Sequence, residues 1–221
     1  IQMEVPKVPR PLRARLRATL REGSRAFCND WDFWLFPREV GLPSSAALYG
    51  TPRLAWLRQM RKMKRVDAAQ LVAGPSPRAV LSDSLDEALL EYARRGGRIL
   101  LAAGEGLLRP FLPKLGLTAG RYFFLPPANY PPLEDGNSGT IIANHPMLGG
   151  LPHEEFADLQ LYRLIAESAP FDLQPFGVLS AQPVIRALST YFVAHPLAYL
   201  AEFKSGNGGM IISALDLNQK W

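Results

Sequence analysis

Three kinds of chemistry have candidate residues in this sequence. They are acyl transfer from a strained turn, acid–base or metal chemistry at histidines and carboxylates, and stacking of sugar rings on aromatics. The turn is Ala103-Gly104-Glu105-Gly106. Small residues let a chain bend sharply from strand to helix and present a nucleophile at the bend. Glu105 holds the central place, where acyl chemistry needs Cys or Ser. Read functionally, Glu105 is a degenerate nucleophile position. A glutamate near a helix N-terminus is also favoured by the macrodipole, so an ordinary strand-to-helix turn explains it more simply. The single cysteine, Cys28, lies far upstream. It excludes a disulfide within the chain and a Cys-based zinc site, and it leaves the compartment open.

The three histidines are His145, His153 and His195. None stands at ligand spacing from another, and His153-Glu154-Glu155 lacks the second histidine of a His-Glu-x-x-His zinc helix. No metal and no cofactor are expected. Glycoside cleavage needs two carboxylates on facing loops. Glu134, Asp135, Glu154, Glu155 and Asp158 supply carboxylates, but no spacing selects a pair. Acids at a helix start are explained by the dipole. Ser205-Gly206-Asn207-Gly208-Gly209 is not followed by Lys-Ser or Lys-Thr. It lies between two apolar runs, so it reads as a hairpin loop rather than a phosphate cradle. The aromatic candidates for carbohydrate binding are Trp31, Trp34, Tyr122 and Tyr130, with Trp56 in the same pool. Trp31, Phe33 and Leu35 alternate with Asp32, Trp34 and Phe36. A strand apolar on both faces packs between layers, so burial competes with stacking.

The elements that must position these residues follow from periodicity. Leu12, Ala14, Leu16 and Ala18 alternate with Arg13, Arg15 and Arg17, the pattern of a half-buried strand over residues 12–20. Arg21-Glu22-Gly23-Ser24 reads as a turn, and residues 26–36 as a second strand. Two strands alone are marginal in water, so this hairpin needs a further sheet. Pro37, Gly41, Pro43, Ser44 and Ser45 mark residues 38–50 as a linker. Thr51-Pro52 starts a helix reaching about Lys64. Residues 79–82 read as a strand, and Ser84 and Glu87 have capping-box spacing. Leu85, Ala88, Leu89 and Tyr92 follow at helical spacing, Gly96-Gly97 stops the helix, and Ile99–Ala103 forms the next strand. Such a crossover makes the two strands parallel, and their apolar runs require cover on both faces. The expected fold is a doubly wound, mostly parallel α/β sheet. Further on, the sequence predicts a short helix over residues 107–115 and strands over 122–125 and 140–143. A helix over 153–167, a short apolar element over 184–193 and a hairpin over 197–217 complete the reading.

Composition sets outer bounds. The chain has 221 residues, 48% hydrophobic and 20% charged, as in globular proteins. No apolar run reaches the 18 or so residues of a membrane span, and residues 1–7 lack the pattern of a signal peptide. The net charge of +5 raises a nucleic-acid reading. The alternation of Arg13, Arg15 and Arg17 with apolar residues favours a solvated sheet face instead, so neither nucleic acid nor membrane is an expected partner.

The segment Asn29-Asp30-Trp31-Asp32-Phe33-Trp34-Leu35-Phe36-Pro37 resembles, in the form Asn-x-Trp-x-x-Trp-x-x-Pro, the last strand of the immunoglobulin-like sandwich in family 2 glycoside hydrolases, the β-galactosidase-like enzymes. Leu81-Ser82-Asp83-Ser84, Asn144-His145-Pro146 and Ala201–Leu217 resemble the start, middle and end of the class I glutamine-amidotransferase-like, flavodoxin-like domain that follows. The resemblance implies terminal sandwich strands at 1–37, a linker at 38–50 and a non-catalytic accessory domain at 51–221. The implied partners are an upstream catalytic barrel and the rest of the sandwich, with polysaccharide as a further partner. The catalytic glutamates of such a parent lie in its barrel, so no catalytic residue carries over. A periplasmic or extracellular parent fits, and the apolar hairpin implies a tendency to self-associate.

Overall fold

Alternating Leu/Ala and Arg build the first strand as expected. β1 (Leu12–Glu22) and β2 (Arg25–Leu35) pair antiparallel around Gly23, whose φ of 58° suits glycine. Their register sets Leu16 against Trp31 and Leu20 against Phe27 on one face. Arg15 meets Asp32 and Arg17 meets Asp30 on the other. This ribbon is a two-stranded sheet of its own. The computed structural model describes residues 4–38, 44–73, 77–102, 110, 112–115, 118–119, 139–166, 168, 170–174, 181–188 and 196–215.

A second sheet has ten strands among the described residues. They are β3 (Ala46–Tyr49), β4 (Lys64–Val66), β5 (Ala79–Ser82), β6 (Arg98–Ala102), β7 (Thr118–Ala119), β8 (Thr140–Ile142), β9 (Phe171–Asp172), β10 (Ala181–Ala187), β11 (Leu197–Ser205) and β12 (Gly208–Ser213). Its main path runs β4-β3-β5-β6-β12-β11-β10-β8, with β9 joining β11 to β7. β3, β4, β5, β6 and β12 pair in parallel, whereas β12, β11, β10 and β8 pair antiparallel. The sheet is therefore mixed, where the sequence predicts a mostly parallel one. The cause is local: β11 and β12 are joined by a two-residue turn, which only antiparallel strands allow.

Other boundaries shift for equally local reasons. β3, buried at all four residues, lies inside the stretch expected to be linker. The helix expected to reach Lys64 is α1 (Ala55–Gln59); a turn follows it, and β4 begins at Lys64. α2 (Ala68–Ala73) and α3 (Glu87–Arg94) follow. Asp86 caps α3 by accepting a hydrogen bond from the Leu89 N–H. Ser84 lies two residues before that cap, and its Oγ faces Ser82 Oγ at 3.3 Å instead. The helix expected from residue 153 is α4 (Leu159–Ala166). The stretch before it is bent rather than helical, with Ile142 N donating to Glu155 O and Glu155 at a left-handed φ of 64°.

Helices lie on both sheet faces. Leu71 of α2 and Leu89 and Tyr92 of α3 pack with Val80, Ile99, Leu101 and Ile212. On the other face Leu57 of α1 packs with Leu48, and Leu161 and Ile165 of α4 pack with Ile142, Ile185 and Tyr199. Each large side chain so buried contributes about 1.5–3 kcal/mol.

The β11–β12 turn rests on the end of α3. Asn207 N donates to Arg94 O at 3.1 Å and Gly209 N to Gly97 O at 3.1 Å. A Cβ on Gly208 would lie 2.1 Å from Gly97 O and 2.3 Å from Ala93 O. Gly208→Ala should therefore cost about 1–3 kcal/mol or more as the turn is forced off the helix. Gly150→Ala, whose Cβ would meet only Pro11 Cδ at 3.9 Å, should be near neutral. Paired thermal melts of the two variants check this.

Candidate functional site

Open α/β sheets place ligands beyond the C-terminal ends of their parallel strands. In this protein those ends carry Tyr49 on β3 and Ser82-Asp83 on β5. Asp83 is buried, and its Oδ2 accepts from Arg53 N at 2.6 Å and Leu54 N at 2.7 Å. Those two N–H groups stand at the entrance of α1, whose own cap residue Leu54 has no side-chain acceptor. Asp86 caps α3 and also accepts the Tyr49 hydroxyl proton at 2.6 Å. Burial, then the hydrogen bond to Asp86, pushes the Tyr49 phenol above its ordinary range. Both carboxylates are thus occupied in holding helix starts. The Glu105 turn follows β6 and lies outside the described residues.

A second polar cluster crosses the sheet. His145 is buried, its Nδ1 accepts from Met147 N at 3.3 Å, and its Nε2 lies 3.0 Å from Glu202 Oε2. The Nδ1 contact assigns the proton to Nε2, which donates to Glu202. Glu202 Oε1 lies 3.7 Å from Arg98 Nη1. Among the described residues neither hydroxyl nor thiol joins this cluster in these hydrogen bonds. His153 Nδ1 accepts from Glu155 N, a local turn, and His195 lies outside the described residues. Among the described residues no group of three or more His, Cys, Asp or Glu could hold a metal ion. No described helix is long and apolar enough to cross a membrane.

The third place is a groove of about 690 Å³ where the ribbon meets α4. Phe33, Trp34, Phe36, Leu151, Leu161 and Leu164 form its apolar walls, and Asp32 and Gln160 its polar ones. Trp34 Nε1 donates to Pro152 O at 3.1 Å, and the Arg13 guanidinium sits 5.9 Å from its ring centroid. Gln160 is only 8% exposed; its Oε1 accepts from Asp158 N, so its amide NH₂ is the group it has to offer. The ribbon's polar face leads into the groove as a ladder of ion pairs. Arg17 grips Asp30 through two bonds of 2.7 Å, Arg15 Nε meets Asp32 at 2.9 Å, and Arg13 joins Asp32 to Glu154.

Of the expected sugar-binding residues, Trp31 and Trp34 stand on opposite faces of β2, so they do not form one platform. Tyr122 and Tyr130 lie outside the described residues, as do Glu134 and Asp135. Glu154 is the ribbon's anchor rather than half of a facing pair. Neither Asp83 nor Gln160 stands out by spacing alone. The available signal for Asp83 was an acid directly after a buried strand.

The architecture is that of a mixed α/β sheet domain carrying a separate β-ribbon. Residues 80–221 match the family described as "Domain of unknown function (DUF8487)", and the chain belongs to that family. No curated protein matches the sequence. Among solved structures the fold is similar to a cold-adapted β-galactosidase from Rahnella sp. R3, with TM-score 0.41 and 12% identity over 79% of this chain and 29% of that one. It is also similar to an exo-β-1,4-mannosidase from Opitutaceae bacterium strain TAV5, with TM-score 0.40 and 14% identity over 78% and 31%. A cytoplasmic protein from Salmonella typhimurium overlaps at TM-score 0.38 and 13% identity over 95% and 87%. The chain spans less than a third of either glycosidase.

Two outcomes follow from the site. Asp83→Ala leaves two N–H groups without their acceptor and should destabilise the chain by about 2–4 kcal/mol, read from denaturant midpoints at unchanged slope. The hydrogen bond from Arg17 holds the Asp30 carboxyl below its ordinary range, and those from Arg15 and then Arg13 do so for Asp32. A depressed folded value means that the ladder's contribution is complete above the unfolded value of about 3.9 and is lost as pH falls through the folded one. Carboxyl NMR titration should place both midpoints below about 3.9, and raised salt should move them toward it.

Proposed function

We propose that this chain is a non-catalytic accessory module of a larger carbohydrate-active enzyme that resembles the family 2 glycoside hydrolases. The observation that carries the reading is what the polar groups at the strand ends and across the sheet do. Asp83 and Asp86 hold helix starts, and His145 and Glu202 hold each other. An acid–base pair for chemistry must face a reacting atom; these groups face the scaffold. The carbohydrate half of the reading rests on the motif of residues 29–37 and the segments through Leu217 that resemble such enzymes. In this reading the fold is amidotransferase-like without amidotransferase chemistry, and Glu105 is its altered nucleophile position. An upstream barrel supplies catalysis, and residues 1–37 join a sandwich that the rest of the parent completes.

Purified chain should show no turnover of a panel of aryl glycosides or of glutamine above a buffer blank. Turnover that survives repeated purification and disappears with a substitution at His145 or Glu202 would reject the reading.

A second reading, sugar binding, is favoured by one place in the structure, the Trp34 groove. It combines an aromatic wall with the amide of Gln160, a mixture that suits small ligands. Affinity electrophoresis in xylan, galactan and pectin gels tests it. Retardation abolished by Trp34→Ala would support the groove, whereas retardation abolished only at Tyr122 or Tyr130 would move the site there. Equal mobility in every gel would remove sugar binding.

A further inference from the structure

The polar groups on the Trp34 groove differ in what they have left to offer. Gln160 is 8% exposed, and its Oε1 accepts from Asp158 N at 3.0 Å. That contact fixes which end of the amide is oxygen, because an N–H needs an acceptor and an NH₂ is none. The NH₂ of Gln160 is therefore free, and among the described residues no group accepts from it. Trp34 Nε1 is taken by Pro152 O. The Asp32 carboxylate is taken by three N–H groups of Arg13 and Arg15. Phe33, Phe36, Leu151, Leu161 and Leu164 complete the lining with hydrocarbon. The groove thus presents one unpaired donor, nine-tenths buried, among apolar walls.

The ligand class follows from the cost of burying polar groups. A buried hydroxyl needs an acceptor for its proton, and both acceptors here are already engaged. A buried NH₂ without a partner carries a similar penalty. Both requirements are met by an oxygen that only accepts, on a hydrocarbon body. An ester carbonyl with its acyl chain is such a group, since esterification removes the hydroxyl proton. A free carboxylate is disfavoured, because apolar walls cannot solvate its charge. The volume of about 690 Å³ lies within the range of about 300–1,000 Å³ usual for small-ligand sites.

We infer that the Trp34 groove binds an ester-linked acyl group, its carbonyl accepting from the Gln160 NH₂ and its chain packed on Leu161, Leu164 and Phe36. The site is that of the sugar-binding reading above, on which the assignment rests for its carrier. It adds what on a glycan the groove holds, an acyl substituent rather than the hydroxyl-rich ring.

Ethyl butyrate and 1-hexanol, an alcohol of the same carbon count, are titrated against the purified chain by tryptophan fluorescence. Trp34→Phe marks the signal that belongs to the groove. The ester should bind about three- to tenfold more tightly than the alcohol, the margin of one neutral hydrogen bond. Gln160→Glu keeps an oxygen for Asp158 N and removes the NH₂. Its thermal melt should be unchanged, and its preference should turn to the alcohol, which can donate to the new carboxylate. Equal affinity for the two ligands in the unaltered chain, or an ester preference that survives Gln160→Glu, would overturn the inference. Gels of acetylated xylan and of the same xylan after mild alkaline deacetylation then test the carrier. Retardation in the acetylated gel alone is expected. Equal retardation in both would assign the groove to the sugar ring, overturning the acyl site while sugar binding stands. Unchanged mobility in both, with the ester still held through Gln160, would support the acyl site on a carrier other than a glycan, and sugar binding would fall.

Discussion

The strand β12 carries the constraint on which the rest of the sheet depends. It runs parallel to β6 on one side and antiparallel to β11 on the other. The two halves of the sheet are built on different connection rules, and they meet only there. Their relative position is set where the β11–β12 turn lands on the last turn of α3. That contact exists because residues 97 and 208 have no side chains. A Cβ on Gly97 would meet the Tyr92 ring at 2.3 Å, and one on Gly208 would meet Gly97 O. Close approach of backbone to backbone is what glycine permits and what no other residue can supply. Leu89 and Tyr92 then cover Ile99, Met210 and Ile212 together, so one helix buries strands from both halves.

Electrostatics plays a different part in each region. In the α/β body carboxylates, buried at Asp83 and exposed at Asp86, take up the N–H groups that helices leave unpaired at their starts, a local requirement of every helix. Asp83 is unusual in serving α1 from a different strand. In the ribbon the charges are exposed and contribute little singly. Their value lies in register: an arginine facing an aspartate at successive rungs penalises a one-residue slip, which would also turn Trp31 to the polar side.

The legible parts of the sequence were those with a strong period. Leu/Arg alternation marked β1, and the Ala79–Gly97 stretch showed strand, helix and stop in order. β3 is not legible because Ala46-Ala47-Leu48-Tyr49 is four residues long, flanked by Ser45 and Gly50, and resembles part of a loop until its neighbours are in place. α1 and α4 are shorter than the sequence predicts because apolar residues at helical spacing extend past both. Strand pairing at Lys64–Val66 and the hydrogen bond from Ile142 N to Glu155 O override that local preference. The same limit applies to the candidate site. Trp34 stood out by residue type, yet its groove is completed by Leu151, Gln160 and Leu164, far away in the chain. Only folding brings such residues together, and no spacing announces them.

The ribbon meets the body near one end. Arg13 reaches Glu154 and Trp34 reaches Pro152, both close to the start of β1 and the end of β2. The tip at Gly23 lies about 35 Å along the strands from that root. Mechanically the ribbon is a cantilever. A rotation of about 5° at Arg13 would carry the tip through about 3 Å, on strands of that length. Small side-chain adjustments at the Arg13–Glu154 joint are therefore magnified at the far end, and that joint sets the angle at which anything seated on the ribbon meets the sheet domain.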